Sequence, residues 1–249
     1  MENFITNLEN LDKKQVKKET EEMCREIGDL QYKMLAEAKH SILLILQGPD
    51  ASGKDGLMRD LLEYCNPAGL SVYSFKKPTA VEYAHDFLWR VHQQAPAKGI
   101  LQVFNRSHYE DILVPSVEGF IPASVVEERY GLINHFEQLL QHNGTTILKF
   151  FMSVSADRQK ERLSERTTNP EKFWKHNDGD WETFKKRDQY LEVYKKIIDR
   201  CNKVPWHIIP SDSNWQKLYI SAKILLKTLR DLDLQWPPLK SEMFPAKSQ

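Results

Sequence analysis

The chain has 249 residues, and its 35 lysines and arginines balance 35 aspartates and glutamates, so no global basic field favours nonspecific nucleic-acid binding. Three scattered cysteines form no C-x-x-C pair, which argues against a disulfide framework or a cysteine zinc site. The start lacks a secretory signal, and no apolar run approaches the roughly 20 residues of a membrane span. We expect a cytoplasmic protein that binds neither membrane nor nucleic acid.

The first predicted element is an amphipathic helix over residues 11–39, which could cover its own core or a partner subunit. Short apolar runs, each read as a strand, follow at 41–47, 70–75, 100–104, 145–151 and 206–209. Helical patterns separate them at 55–65, 80–93, 123–142 and 183–200. Strands that alternate with helices predict a parallel sheet covered on both faces, and five such strands fit a P-loop kinase-like core.

A glycine loop, Gly48-Pro49-Asp50-Ala51-Ser52-Gly53-Lys54-Asp55-Gly56, joins the first strand to the next helix. In this context backbone N–H groups converge on phosphate oxygens, and Lys54 can reach phosphates beyond the loop. Asp55 occupies the position of the usual Ser or Thr, whose hydroxyl holds magnesium. We therefore expect Asp50 or Asp55 to hold the metal. The alternative is a glycine-rich turn that binds no ligand.

Polar residues follow the second and third strands at the edge where α/β folds bind ligands. Lys76 and Lys77 close the second strand, where they suit either an anion site or a solvated turn. Asn105 and Arg106 follow the third strand and are expected to face phosphates. Glu110 comes next and is a candidate to hold metal, water or part of a nucleotide. The alternative for the third strand is a polar end that leads into a helix with acidic residues in its first turn.

The segment 155–182 is too charged for core helices and is predicted to form an exposed helical lid. Arg158, Arg162 and Arg166 are spaced by four residues, so they share one face of a helix. Lys172 and Lys175 extend this cationic set, which is suited to closing on phosphates. The alternative is a solvated charged helix whose arginines pair with the glutamates between them.

Taken together, these segments resemble the family-2 polyphosphate kinases over roughly residues 30–225. The strings that carry the resemblance are Gly48-Pro49-Asp50-Ala51-Ser52-Gly53-Lys54, Ser74-Phe75-Lys76-Lys77-Pro78-Thr79, His85-Asp86-Phe87-Leu88-Trp89-Arg90, Phe104-Asn105-Arg106-Ser107-His108-Tyr109-Glu110-Asp111, Gly144-Thr145-Thr146-Ile147-Leu148-Lys149-Phe150-Phe151, Asn169-Pro170-Glu171-Lys172-Phe173-Trp174-Lys175 and Pro205-Trp206-His207-Ile208-Ile209-Pro210. The resemblance implies an α/β fold, a P-loop kinase-like three-layer sandwich with a five-stranded parallel sheet and an inserted helical lid. We expect residues 1–249 to form one such domain.

The resemblance also implies reversible phosphoryl transfer between inorganic polyphosphate and adenine or guanine nucleotides, with Mg²⁺ or Mn²⁺. Asn105 stands where many relatives carry Asp, and its string resembles the subgroup that accepts both AMP and ADP. Relatives of this type commonly assemble, so we expect a homo-oligomer.

Phosphoryl transfer depends mainly on positioning and charge neutralisation, which decides the roles we expect. The phosphate-binding set is Gly48, Ala51, Ser52, Gly53, Asp55, Gly56, Lys76, Lys77, Lys172 and Lys175. The catalytic set is Asp50, Lys54, Asn105, Arg106, Arg162 and Arg166, with the arginines clamping the transferred group. The metal set is Asp50, Asp55 and Glu110, and Glu110 is also a nucleotide-selectivity contact. Candidates to line a polyphosphate channel are Lys76, Lys77, Arg129, Lys149, Lys172 and Lys175.

Two other functions fit parts of the pattern. The first is an ATP-dependent nucleotide kinase, although such kinases nearly always keep the Ser or Thr that Asp55 replaces. The second is a non-catalytic protein that binds nucleotide or polyphosphate as a regulator. The intact Asp50, Lys54 and Arg106 argue against it.

Overall fold

Five parallel strands form one sheet, as the sequence predicts. Numbered along the chain, they lie across the sheet in the order second, third, first, fourth and fifth. The computed structural model describes residues 12–241 and residue 243. The strands are β1 (Ser41–Gln47), β2 (Leu70–Ser74), β3 (Leu101–Asn105), β4 (Thr145–Ser153) and β5 (Trp206–Pro210). The helices are α1 (Lys13–Glu37), α2 (Lys54–Leu61), α3 (Ala80–Tyr83), α4 (Trp89–His92), α5 (Glu110–Glu118), α6 (Ala123–His142), α7 (Ala156–Thr168), α8 (Asp178–Lys185), α9 (Arg187–Arg200) and α10 (Asn214–Asp231).

Helices cover both faces of the sheet, which gives three layers. One core cluster joins the sheet to α1, α2 and α10, and the other joins it to α5, α6 and α9. All seven residues of β1 are buried because this strand lies at the centre between the two helical layers. A strand with both faces covered has to be apolar throughout, which explains the run Ser41-Ile42-Leu43-Leu44-Ile45-Leu46.

Helix α1 packs on α10 of its own chain. Asp12 caps it by accepting a hydrogen bond from the backbone N–H of Lys14 at 3.0 Å. Its buried positions recur every three or four residues, from Val16 through Cys24 to Met34. Of the two alternatives that the sequence left open for this helix, the structure shows that it covers its own core. Residue 11 of the predicted helix lies outside the described residues.

The crevice for the site opens where the connections from neighbouring strands diverge. Helix α2 follows β1 and packs in the cluster on one face, while α5 follows the adjacent β3 and packs in the cluster on the other face. Such a divergence leaves a gap at the carboxyl ends of the two strands, where open α/β sheets bind ligands. The glycine loop and Asn105 both lie at this edge.

Two predicted helices have different bounds in the structure, and one helix was not predicted. Residues 80–93 form the two short helices α3 and α4, because the Asp86 carboxylate accepts a hydrogen bond from the Leu88 backbone N–H at 2.9 Å and closes a turn between them. The pattern at 183–200 spans the end of α8 and all of α9, and α10 was not predicted. In the part of the chain that is described, no helix combines the length and hydropathy that a bilayer span requires.

Candidate active site

The glycine loop (residues 48–56) turns sharply between β1 and α2. Gly48 has a φ of +145°, and a Cβ there would lie 2.8 Å from the Met152 carbonyl oxygen, so a side chain is excluded. Ala51 and Gly53 also have positive φ values, of +57° and +90°. Helix α2 begins directly after Gly53, so its positive end faces the loop. This geometry is that of an anion-binding turn.

Lys54 lies folded back over the loop. Its Nζ donates to the carbonyl oxygens of Gly48 at 2.8 Å and Pro49 at 2.9 Å, and to Ser52 Oγ at 3.3 Å. Burial, together with the nearby Arg106 guanidinium, lowers the pKa of Lys54 to about 8. The ammonium group therefore rests on weak neutral partners, and a phosphate anion would be a better one.

Arg106 forms the centre of a charged cluster at the carboxyl ends of β1 and β3. Its guanidinium donates to Asp50, and to Glu110 Oε2 at 3.4 Å. Gln47 donates to the other Glu110 oxygen at 2.6 Å. The two carboxylates, Glu110 first, raise the pKa of Arg106 above its usual range, so the guanidinium stays charged. Its backbone has a φ of +60°, a strained conformation for a residue other than glycine.

Asn105, the last residue of β3, contacts Asp55 in the first turn of α2. Its amide donates to Asp55 Oδ1 at 3.0 Å and to Ser74 Oγ at 3.3 Å. Lys175 of the charged segment (residues 155–182) lies 3.3 Å from the second Asp55 oxygen. Asp55 therefore links the glycine loop to the charged segment and to β3.

Arg162 and Lys217 donate hydrogen bonds to backbone carbonyl oxygens of the glycine loop. Arg162 donates to the carbonyl oxygen of Ala51 at 3.1 Å and to that of Ser211 at 2.8 Å. Lys217, on α10, donates to the carbonyl oxygen of Gly53 at 3.1 Å, and burial lowers its pKa to about 8.

Lys217 was not singled out from the sequence. The available signal was a lysine on the apolar face of a helix, four residues before the buried Ser221 and seven before the buried Ile224. A lysine at such a position is expected to have a specific partner.

Arg166 points into the charged segment and bonds the Asp180 carboxylate. Burial, together with the nearby Asp50 carboxylate, raises the pKa of Asp180. Glu165 accepts a hydrogen bond from Lys172. The alternative that the sequence left open, pairing of the arginines with the glutamates between them, holds for Arg158 and Glu161, while Arg162 turns toward the loop.

The three arginines follow one face of the regular helix α7, as their spacing predicts, but they contact different partners. Arg158 pairs with Glu161 and lines a separate groove beside α1 that also contains Lys13 and Lys17. The helix is only partly exposed, because Gln159 and Leu163 are buried, and Arg158 near its amino end does not join the cationic set around the glycine loop.

Two cavities of different character meet at Arg106 and Lys76, which line both. The first, of about 460 Å³, lies between the glycine loop and the charged segment. Its seven cationic and four acidic side chains are Lys54, Lys76, Arg106, Arg162, Arg166, Lys172, Lys175, Asp50, Asp55, Glu165 and Asp180. Trp174 lines it as well and is 77% exposed.

The second cavity, of about 550 Å³, has largely apolar walls. Its apolar and aromatic lining residues are Phe75, Pro78, Tyr83, Phe87, Val114, Pro115, Phe120 and Ile121. Glu110 and Lys77 also line it, and unlike Lys76, Lys77 does not line the cavity beside the glycine loop. Arg129 lines it too, with its guanidinium 4.7 Å from the centre of the Phe87 ring.

The predicted metal set does not form a ready-made cage. Asp50 and Glu110 are bridged by Arg106, whereas Asp55 contacts Asn105. The described residues contain no cluster of three or more His, Cys, Asp or Glu side chains that could hold a metal ion.

The prediction that Lys149 lines a channel was wrong. The Lys149 side chain is fully buried between β4 and α6, where its Nζ lies 2.8 Å from Glu137 Oε2. It lies on a strand with both faces covered, and its position along the chain alone did not show which face it occupies.

A parallel sheet, a glycine loop at the amino end of a helix and a converging set of cations define the class as a P-loop phosphotransferase. Residues 10–236 match the model of the polyphosphate kinase 2 family. The chain therefore belongs to that family and is a polyphosphate kinase, as the resemblance in its sequence implied.

Individual relatives agree with this assignment. The chain is 46% identical to the AMP/ADP-polyphosphate phosphotransferase of Meiothermus ruber, over 86% of this chain and 80% of that protein. It is 38% identical to the ADP-polyphosphate phosphotransferase of Rhodopseudomonas palustris, over 85% and 78%. Its fold matches the crystal structure of polyphosphate kinase 2 from Arthrobacter aurescens TC1 with a TM-score of 0.88 and 35% identity, over 96% and 89%.

Proposed function

We propose that this kinase moves phosphoryl groups reversibly between inorganic polyphosphate, held in the cationic cavity, and a nucleoside mono- or diphosphate, held in the apolar cavity. The observation that carries the proposal is the meeting of these two cavities at Arg106. A guanidinium at the junction reaches the phosphate that passes between them. The AMP/ADP name of the Meiothermus ruber relative supports acceptance of both nucleotides.

The cationic cavity suits polyphosphate because lysine and arginine side chains are concentrated around it. The chain as a whole is neutral, yet seven of the ionisable side chains around this cavity are cationic and four are acidic. A linear polyanion has no apolar part, so it requires cations and backbone N–H groups along its whole bound length. Arg166 and Lys172 line the far wall, on the charged segment.

The apolar cavity suits a nucleotide because a base offers two flat faces and a polar edge. Phe75 and Phe87 provide apolar walls, while Lys76 and Arg106 mark the end where phosphates would lie. Glu110 lines the cavity beside Arg106, where it can contact the ribose or the base. This position supports its predicted role in nucleotide selectivity.

No protein base is needed for the transfer, because a nucleotide phosphate is already an ionised nucleophile at neutral pH. Lys54 and Arg106 would stabilise charge on the phosphate that is transferred. The charged segment would act as a lid that keeps Arg166, Lys172 and Lys175 against the polyphosphate and excludes competing water.

The residues fit a divalent cation shared with substrate phosphates. Mg²⁺ is commonly held by one or two carboxylates and phosphate oxygens, so a three-residue cage is not required. Within the described part of the chain, Asp50 Oδ2 accepts no hydrogen bond, and burial, followed by the Asp50 carboxylate, raises the pKa of the neighbouring Asp180. Asp50 would hold Mg²⁺ or Mn²⁺, with Asp55 and Glu110 as further candidates, and the ion would neutralise phosphate charge during transfer.

The test is nucleotide formation by the purified chain with Mg²⁺ and long-chain polyphosphate, offering ADP in one reaction and AMP in another. ATP from ADP, and ADP followed by ATP from AMP, are the expected products. Activity with ADP alone would remove AMP from the proposal. Phosphorylation of a nucleotide by ATP without any use of polyphosphate would overturn it in favour of an ordinary nucleotide kinase.

Lys217 provides a sharper prediction, because it supports the loop without lining the cavity. We expect Lys217→Met to raise the KM for polyphosphate about tenfold at pH 7, through loss of one buried cation behind Gly53. Lys54 and Lys217 both have pKa values of about 8, so substrate affinity is highest below pH 8 and weakens as the pH rises through that value. The variant has one such lysine left, and its KM should rise less steeply between pH 7 and pH 9. Parallel pH profiles for the two proteins would contradict this role.

The predicted homo-oligomer and cytoplasmic location remain proposals. An exposed stripe on α6, with Val125, Leu132 and Leu139 seven residues apart, supports a contact between copies. Sedimentation equilibrium of the purified chain checks the assembly, and a monomer at micromolar concentration would overturn it. Cys24, Cys65 and Cys201 are free and buried, which suits a reducing compartment.

A further inference from the structure

A fully buried ion pair lies beneath the site. Lys149 on β4 and Glu137 on α6 expose none of their side chains, and Lys149 Nζ lies 2.8 Å from Glu137 Oε2. The same ammonium group donates to Tyr109 Oη and to the Cys201 carbonyl oxygen, each at 2.8 Å. All three protons of the lysine are thus used, in the middle of an otherwise apolar cluster that includes Trp206.

Stability alone does not explain this pair. Removing two charges from water costs more than their attraction commonly returns, and apolar residues of similar volume usually serve as well or better. Burial lowers the pKa of Lys149, which shows that its surroundings penalise the charge. A second role for the pair has to be sought in what it holds.

The pair holds the segment that joins Arg106 to Glu110. Tyr109 Oη donates to Glu137 Oε1, and His108 Nε2 lies 3.3 Å from the same oxygen. The residues immediately before Glu110 are therefore anchored on the buried side of the segment. Arg106 and Glu110, at its two ends, face the cavities.

The first residue of this segment has a strained backbone. Arg106 has a φ of +60°, with its backbone N–H donating to the Leu46 carbonyl oxygen at 3.0 Å. Ser107 Oγ donates to Gln47 Oε1 at 3.2 Å and accepts from the Tyr109 backbone N–H at 3.2 Å. A strained backbone persists only where its surroundings hold it firmly, and the contacts of Tyr109 supply part of that restraint.

We propose that Tyr109, Glu137 and Lys149 are positioning residues, which hold Arg106 and Glu110 in the geometry that phosphoryl transfer requires. This inference rests on the proposed function for its effect on rate. None of the three lines either of the two cavities, so their action passes through the segment 106–110.

The direct test is Tyr109→Phe, which keeps the ring and the ion pair but removes the hydroxyl that connects them. We expect kcat to fall about tenfold to a hundredfold, since small displacements of a catalytic group have effects of that size, while the fold survives with the lower melting temperature that loss of a buried hydroxyl causes. Tyr130→Phe is the matched control. Tyr130 is also buried, and within the described residues its hydroxyl makes no hydrogen bond. A wild-type kcat for Tyr109→Phe would overturn the proposal.

A double-mutant cycle separates positioning from a general structural effect. In an Arg106→Ala background, Tyr109→Phe should have little further effect on single-turnover rate, because the group that it positions is already absent. Full additivity would contradict the proposal. The pair Glu137→Met with Lys149→Met, which removes both charges together, should likewise fold and lose kcat.

A measurement without substrate keeps this inference separate from the proposed function. Hydrogen exchange of the backbone N–H groups of residues 106–110 should speed up in Tyr109→Phe but not in Tyr130→Phe. Unchanged exchange would overturn the positioning role even in an active enzyme. Faster exchange in a chain that does not use polyphosphate would uphold the restraint and overturn only the proposed reaction.

Discussion

Lys54→Met is expected to lower kcat for nucleotide formation from polyphosphate by at least about 10²–10³-fold. Lys54 Nζ donates to the carbonyl oxygens of Gly48 and Pro49. A bound phosphate would draw it forward, because an anion is a stronger acceptor than a carbonyl group. Methionine keeps the length and volume of the side chain but cannot neutralise charge on the transferred phosphate.

The same substitution is expected to stabilise the protein when thermal unfolding is measured without substrate. The pKa of Lys54 is about 8 in the fold against an ordinary value of 10.5, so below pH 8 the charged lysine opposes folding. The gain in the free energy of unfolding at pH 7 is at most about 3 kcal/mol, and it disappears as the pH rises toward 10.5. Opposite changes in activity and stability are characteristic of a functional group kept at a cost to the fold.

Thermal unfolding at pH 7 and pH 10, beside steady-state kinetics at pH 7, checks both parts. Lys18→Met is a suitable control, since Lys18 lies on the exposed face of α1 with 81% of its side chain accessible. A Lys54→Met protein with near wild-type kcat would remove this residue from the catalytic set. A lower melting temperature at pH 7 would show that its hydrogen bonds to the loop outweigh the burial of its charge.

Arg106→Ala is expected to lower kcat by about 10³-fold or more, the usual effect of an arginine that stabilises a transferred phosphoryl group. Arg106 lies between Asp50 and Glu110 and lines both cavities of the candidate active site. Arg106→Lys should recover little of the loss, because a lysine has no planar fork for two phosphate oxygens.

The backbone strain at residue 106 can be tested separately from the loss of the side chain. With a φ of +60° at residue 106, Arg106→Gly should be more stable than Arg106→Ala by about 1 kcal/mol, since glycine adopts this conformation without a Cβ clash. Both variants lose the same side chain, so their melting temperatures compare the backbone alone. Equal melting temperatures for Arg106→Gly and Arg106→Ala would contradict backbone strain at this residue. A high kcat for Arg106→Lys would contradict the role of the planar guanidinium.

Local patterns predicted much of the site. The glycine loop needed only a buried strand, two glycines and a following helix, all close together in the sequence. Asn105 and Arg106 were predicted at the same edge because parallel strands align their carboxyl ends. Residue roles remain proposals, but these groups do lie together around one cavity.

The errors fall where distant contacts decide the outcome. The spacing of Arg158 placed it in one cationic set with Arg162, yet Arg158 pairs with Glu161 and lines the separate groove beside α1. Little in the sequence indicated that Asp180 and Lys217 belong to the site, because each interacts there with a residue more than 50 positions away. Asp180 lies near Asp50, and Lys217 donates to the Gly53 carbonyl oxygen.

The sequence by itself determined the family, the parallel sheet and the phosphate-binding edge, because these depend on periodicity and on short strings of residues. Only the tertiary structure decided which cations reach the loop and which are buried elsewhere. Lys149 shows the difference: it lies within a family string, yet it pairs with Glu137 beneath the sheet. The direction of one side chain across a covered sheet depends on packing from both faces, and no local pattern specifies that packing.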